Sequence, residues 1–454
     1  MSEPSDTHTE PDARRLDHIL HEVVETLALL DRTPCSPGER QAAQWLAARL
    51  LSVDGVEVSL EDEPSWGTFP PTATSLAATG LVGALLVRRG RRRTGSLLAA
   101  LALASMVDEV HNGPRVARRL LRRRRKTVNV VARIGDQRAA EGDLARSDGG
   151  GAEAVGTVVV LAHHDAPQAG LLFDQTLVRK LYEVAPQVIE STKTPPPQWW
   201  GVFAGPLLTI AAAATRSRAL GRAAIGFGAL ATAALGDLWR NVTVQGANDN
   251  LSGVAALVAL AELLRERPLP GVRVLLVSCG AEETLQDGIR AFMTRHRHEL
   301  APERTWFINL DTIGSPHLVG LEAEGPIRME EYAGPWLRDL VSERAEQIGV
   351  QLERGYRARA STDSVIPSRA GYPIATLVSI TDWRSPANYH LASDIPANLD
   401  YGTVAEATRL VYEVIRSLAE DRSYAAAGSD AAAGSSTADG SGTADGRLGS
   451  ALPS

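Results

Sequence analysis

Residues 157–166 read TVVVLAHHDA, and the fold follows from this stretch. Val158, Val159 and Val160 are β-branched and favour an extended backbone, and the run shows no polar alternation. A strand apolar on both sides belongs in a sheet covered on both faces. It runs straight into His163, His164 and Asp165. Polar, chemistry-bearing residues at the carboxyl end of a buried strand mark the place where open α/β sheets put their sites.

The same pattern recurs along the chain. Apolar runs predict strands at TVNVVARI from Thr127, VRVLLVSC from Val272, WFINL from Trp306 and IATLVSI from Ile374. Helical periodicity predicts helices between them. These are LDHILHEVVETLALL, SPGERQAAQWLAARLL with Ser36 as N-cap and Pro37 at the first position, SGVAALVALAELLRER from Ser252, and GPWLRDLVSERAEQIG from Gly334. The alternation implies a three-layer α/β/α domain with a central mixed, mostly parallel sheet.

The bulk numbers are those of a folded enzyme-sized domain: 454 residues, 44% hydrophobic and 22% charged. A formal net charge of -7 argues against nucleic acid as the main partner. Cys35 and Cys279 stand far apart and imply no disulfide framework, which suits a reducing compartment. Residues 1–11 are acidic and polar, without the pattern of a secretory signal, and residues 422–454 are rich in Ala, Gly and Ser. Both read as unfolded tails flanking a domain over 12–421, and the expected location is cytoplasmic or membrane-associated.

Two stretches, about 64–110 and 194–238, break the pattern. Each holds two uncharged runs joined by a basic link, RRGRRR in the first and RSRALGR in the second. Each opens on a W-G-x-F element, Trp66 to Phe69 and Trp200 to Phe203. They read as inserted apolar helical hairpins, an internal duplication packing as a four-helix unit. Two readings stay open: a compact subdomain against the enzyme or a partner subunit, and attachment to or passage through a membrane. The run RVARRLLRRRRK, Arg115 to Lys126, reads as a solvated helix face or loop, with contact to anionic lipid headgroups as the alternative.

Five further motifs carry the chemistry. His163 is followed two residues later by Asp165, a spacing that lets a carboxylate orient an imidazole. Asp249 lies in GANDNLSG, where Asn250 or Ser252 could cap the following helix. Glu282 and Glu283 follow a buried strand through a Gly-Ala turn, Asp311 ends another in NLDTIG, and His390 lies in NYHLASD, with Asp394 as its partner or as a cap.

In order and surroundings these motifs resemble the M28 family of zinc exopeptidases, over most of the chain outside the hairpins. The resemblance implies a zinc-dependent aminopeptidase with two zinc ions per chain and a peptide as substrate. One zinc would take His163, Asp249 and Asp311, and the other Asp249, Glu283 and His390, with Asp249 bridging and the Asp249–Asn250 peptide cis. Glu282 would be the general base and Asp165 the orienting carboxylate. A glutaminyl-cyclase-like enzyme using one zinc, and an inactive membrane-associated binding protein of this fold, are the alternatives. The span from His163 to Asp249 is longer than the family's because it holds the second hairpin.

Overall fold

A computed structural model describes residues 10–135, 156–194 and 199–420. Its centre is a nine-stranded sheet: β1 (Glu57–Ser65), β2 (Arg125–Ile134), β3 (Gly156–His163), β4 (Val272–Cys279), β5 (Thr305–Leu310), β6 (His317–Glu324), β7 (Glu330–Glu331), β8 (Leu352–Ala358) and β9 (Ile374–Ile380). The order is β1-β2-β4-β3-β5-β9-β6-β7, with β8 also paired to β6. β4, β3, β5 and β9 run parallel through the middle, and antiparallel strands flank them. The sheet is mixed with a parallel centre, as its valine-rich strands imply.

The helices are α1 (Glu10–Leu27), α2 (Pro37–Leu51), α3 (Pro70–Arg88), α4 (Arg92–Val110), α5 (Val116–Leu121), α6 (Thr176–Val184), α7 (Pro186–Glu190), α8 (Trp200–Thr215), α9 (Arg218–Arg240), α10 (Ser252–Glu266), α11 (Asp287–His296), α12 (Pro335–Ile348), α13 (Val365–Arg369) and α14 (Tyr401–Glu420). Ser36 caps α2 by accepting from the Glu39 N–H, with Pro37 at the first helical position. α1 begins at Glu10, just inside the expected 1–11 tail. The rest of both expected tails lies outside the described residues.

Alternation along the central strands divides the core. Val158, Val160 and Ala162 face α1, α2, α10 and α14, while Val159 and Leu161 face Ile289 and Phe292 of α11. Helices therefore cover both faces. The parallel register sets His163 level with Cys279 and Leu161 level with Asn309. The carboxyl ends of β3, β4 and β5 thus deliver His163, the Glu282–Glu283 loop and Asp311 to one edge of the sheet.

Both apolar stretches form helical hairpins. α3 and α4 make the first, α8 and α9 the second; α3 packs on α8 and α9, and α4 on α8. The W-G-x-F elements are not equivalent in space. Phe69 precedes the first turn of α3, whereas Trp200 to Phe203 lie within α8. At the end nearest the sheet, Phe69, Leu76, Met106, Phe203, Leu235 and Leu238 form a separate apolar cluster.

The basic run from Arg115 differs from its reading as a solvated face. Arg115 and Arg118 are buried, Arg118 completely. Arg118 pairs with the equally buried Glu109 at 2.5 Å, and Arg115 with Asp287 at 2.5 Å. A guanidinium leaves water only where partners replace its hydration.

Candidate metal centre

The structure brings His163, Asp249, Glu282, Glu283, Asp311 and His390 into one cluster. Ligand-capable atoms of His163, Asp249 and Asp311 lie within 4.8 Å of one another, and so do those of Asp249, Glu283 and His390. Asp249 is shared. One of its oxygens, Oδ1, is 3.2 Å from His163 Nε2, and the other, Oδ2, is 3.0 Å from His390 Nε2. His390 Nε2 is also 3.4 Å from Glu283 Oε1.

Each group is held by a neighbour with a definite task. Asp165 Oδ1 is 3.4 Å from His163 Nδ1, and the same carboxylate accepts the backbone N–H groups of Glu282 and Glu283, each at 3.0 Å. Asp165 therefore orients both the imidazole and the two-glutamate loop. The loop is also braced from Glu39, which accepts from Ala281 N–H at 2.9 Å and from Thr127 Oγ1 at 2.8 Å. Glu282 Oε1 accepts from Gln286 Nε2 at 2.6 Å.

Asp394 does not serve His390. Its carboxylate accepts the backbone N–H groups of Asn248 and Asp249 at 2.7 and 3.1 Å, fixing the segment that presents Asp249. The Asp249–Asn250 peptide is cis. Asn250, not Ser252, caps α10, because its Oδ1 accepts from Gly253 N–H at 3.1 Å. Ser252 Oγ turns back to donate to the Asn248 carbonyl at 2.7 Å.

Sequence reasoning missed Gln286, Glu39 and Asp363. Glu39 carried a signal in the S-x-x-E spacing from Ser36, which is that of a capping box. Asp363 had none; it is buried near His163 and beside the Cys279 thiol, and burial first, with Asp165 adding, lifts it to about 7.

The donor chemistry can be tested against a divalent cation. Five carboxylates, Asp249, Glu282, Glu283, Asp311 and Asp363, are set against two imidazoles, and like charges this close raise one another's pKa. Burial pushes Asp311 up to about 7 against the pull of His163, with Asp249 adding to the rise. Glu282 lies well above the usual carboxylate range, through burial first, with His163 opposing and Glu283 and Asp363 adding. Mixed imidazole and carboxylate donors suit zinc, whose charge would relieve this repulsion. The residues fit the group.

A sequence model of peptidase family M28 matches residues 230–415, the stretch that supplies Asp249, Glu282, Glu283, Asp311 and His390. Over those residues the chain carries the sequence pattern of peptidase family M28. Among solved structures, it is similar to LapB from Legionella pneumophila, at 12% identity and a TM-score of 0.50, over 93% of this chain and 78% of that one. It is also similar to a leucine aminopeptidase precursor from Bacteroides thetaiotaomicron, at 15% identity and 0.49, over 88% and 96%. A glutaminyl cyclase from the same organism, bound to N-acetylhistamine, aligns at 14% identity and 0.48, over 88% and 97%. At these identities the likeness is one of fold. No curated protein matches the chain in sequence.

A cleft of about 390 Å³ opens on the cluster. Leu172, Leu177, Val178 and Leu181 line one wall, and Tyr356 and Val378 the other. Phe173 and Tyr389 line the same cleft, and both rings pack on His390 with centroids 4.1 Å away, themselves meeting edge-on at 5.7 Å.

Proposed function

We propose that this chain is a di-zinc metallo-exopeptidase of the aminopeptidase type, acting on peptides with an apolar N-terminal side chain. The observation that carries the reading is that two donor sets share Asp249; a third possible set, His163, Glu282 and Glu283, keeps Glu282 at the same cluster, where this reading makes it the base. His163, Asp249 and Asp311 would hold one ion, and Asp249, Glu283 and His390 the other. When bound, zinc supplies Lewis-acid polarisation of the scissile carbonyl and a water acidified toward neutrality.

The chain's residues do the rest. Glu282 is buried, its pKa is raised, and Gln286 orients it. It takes the proton from the attacking water and returns it to the leaving nitrogen. Asp165 holds Glu282 and Glu283 by their backbones, so the base and a ligand move together. The leucine-lined cleft receives the first side chain, and burying it supplies binding energy. In this reading the free terminal amine sits beside Phe173 and Tyr389, which pack on His390 and line the same cleft.

The test is hydrolysis of a short unblocked peptide beginning with leucine, compared with its N-acetylated form and with one beginning with aspartate. Metal-dependent release of leucine from the free peptide alone is expected. Cleavage of the acetylated peptide would overturn the exopeptidase reading, and cyclisation of an N-terminal glutamine in its place would favour the single-zinc alternative.

A further inference from the structure

The four-helix unit of α3, α4, α8 and α9 is built the wrong way round for water. Helix backbones meet through small residues. A Cβ added to Gly83 would lie 2.6 Å from the Gly95 carbonyl oxygen, and one added to Gly205 would lie 3.0 Å from the Gly228 Cα. Large apolar side chains point the other way: Val82, Leu85, Leu97, Leu101, Phe227 and Leu230 are exposed. A bundle in water does the reverse, with bulky apolar residues inside and charges outside. In lipid, small residues at the contacts and large apolar ones at the periphery are the rule.

Charge is absent along the helices and gathered at their ends. α8 has no charged residue, and none occurs in 70–87 of α3, 94–107 of α4 or 223–236 of α9. Arg88, Arg89 and Arg91 to Arg93 crowd the tip of the first hairpin, and Arg216, Arg218 and Arg222 that of the second. At the opposite end Trp200 and Trp239 are exposed, and Trp66 lies beneath the Arg119 guanidinium, 5.2 Å from its ring centre. Indoles and long cationic side chains are what the boundary between hydrocarbon and headgroups selects.

Length agrees. α3 and α9 are both long and apolar enough to cross a membrane. At 1.5 Å per residue they measure roughly 28 and 35 Å, against about 30 Å of hydrocarbon. The shorter uncharged runs of α4 and α9 are bounded by Arg93 and Arg222, whose side chains extend to the headgroups. Of the basic run at the base, Arg115 and Arg118 are neutralised inside the protein by Asp287 and Glu109, while Arg123, Arg124, Arg125 and Lys126 remain exposed there.

We propose that α3, α4, α8 and α9 span a lipid bilayer, with the arginine tips at one face and the peptidase domain seated against the other. The metal cluster then lies at the membrane surface, since Phe69 and Trp199 at the bundle base line the recess beside Glu282, Glu283 and His390. This placement is independent of the peptidase reading and survives its failure.

The test uses the full chain, purified in detergent and returned to vesicles of phosphatidylcholine and phosphatidylglycerol. Flotation with the vesicles that persists through high salt and alkaline carbonate is expected. A chain that stays monodisperse without detergent, as a monomer or as a dimer covering these leucines, would overturn the proposal, and so would release by salt alone. Trypsin added outside sealed vesicles should cut either the arginine tips or the peptidase domain of a given molecule. Cutting both would overturn spanning. Replacing Leu97, Leu101, Phe227 and Leu230 together by lysine should abolish flotation while cleavage of the leucine peptide, measured in detergent, is unchanged; continued carbonate-resistant flotation of that variant would count against the lipid-facing assignment.

Discussion

Arg118 donates to the carbonyl oxygen of Thr284, the residue immediately after Glu283, while its other face pairs with Glu109 of α4. Arg115 reaches the same carbonyl at 3.2 Å and that of Leu285 at 3.0 Å. The first hairpin is thereby bonded to the loop that carries the proposed base and a proposed ligand. Arg118→Leu leaves Glu109 as a buried unpaired carboxylate, which costs on the order of 3–5 kcal/mol, whereas replacing both partners by leucine is far closer to neutral. Denaturation midpoints of the single and double variants check this. The double variant should recover stability but not full turnover, because the Thr284 carbonyl loses the Arg118 donor and keeps only the longer bond from Arg115; full recovery of turnover would mean that the contact only stabilises.

Glu282 and its neighbour separate chemistry from metal binding. Glu282→Gln keeps the shape and a hydrogen bond from Gln286 but removes the proton acceptor. Turnover should fall by about 10²–10⁴-fold, the usual contribution of a general base. Zinc content per chain, measured by elemental analysis, should stay as in the parent. A parallel loss of zinc would show that Glu282 is itself a ligand.

Asp165→Asn tests the support rather than the site. An amide has one acceptor atom where the carboxylate has two, and the backbone N–H groups of Glu282 and Glu283 each use a different oxygen. The substitution also weakens the hold on His163. Zinc affinity should fall roughly 10–100-fold, the range seen when such partners of metal-bound histidines are lost. Competition with a chromogenic chelator measures it, and unchanged affinity with reduced turnover would confine Asp165 to placing Glu282.

Much of this site could be read from the chain because its groups sit at strand ends. His163, Asp311 and the glutamate pair each follow a continuous apolar run, and the parallel register brings such ends together. The supporting contacts lacked that local signature. Arg118 and Thr284 are 166 residues apart, and nothing around either names the other. β1, β6, β7 and β8 are not read as strands from the sequence; in β1 and β8 the reason is that Glu57, Glu61, Asp62 and Glu63, or Glu353, Arg354 and Arg357, interrupt them, a composition tolerated in strands away from the buried centre. Asp394 reads from the sequence as a partner of His390 or a cap, and not as the anchor of the Asn248 and Asp249 backbone that it is. That assignment depends on where a loop from the far end of the chain comes to rest.

His296 makes stability depend on pH away from the metal cluster. It sits at the end of α11 between Glu299 and Glu61, with Nε2 at 2.9 Å from Glu61 Oε2. Burial alone would depress its pKa, but the hydrogen bonds to Glu299 and Glu61 override this and raise it from 6.5 to about 9. A group whose folded pKa lies above its unfolded value binds its proton more tightly when folded. Its contribution is therefore complete below about pH 6.5 and disappears as pH rises through about 9. His296→Gln keeps a donor but not the charge. It should cost about 1.5–3 kcal/mol at pH 6, the worth of a hydrogen bond to a charged group, and much less at pH 9.5. Thermal melts of both proteins across that range measure the difference. A gap that stays constant, or widens toward alkaline pH, would mean that the imidazole is neutral in the folded protein.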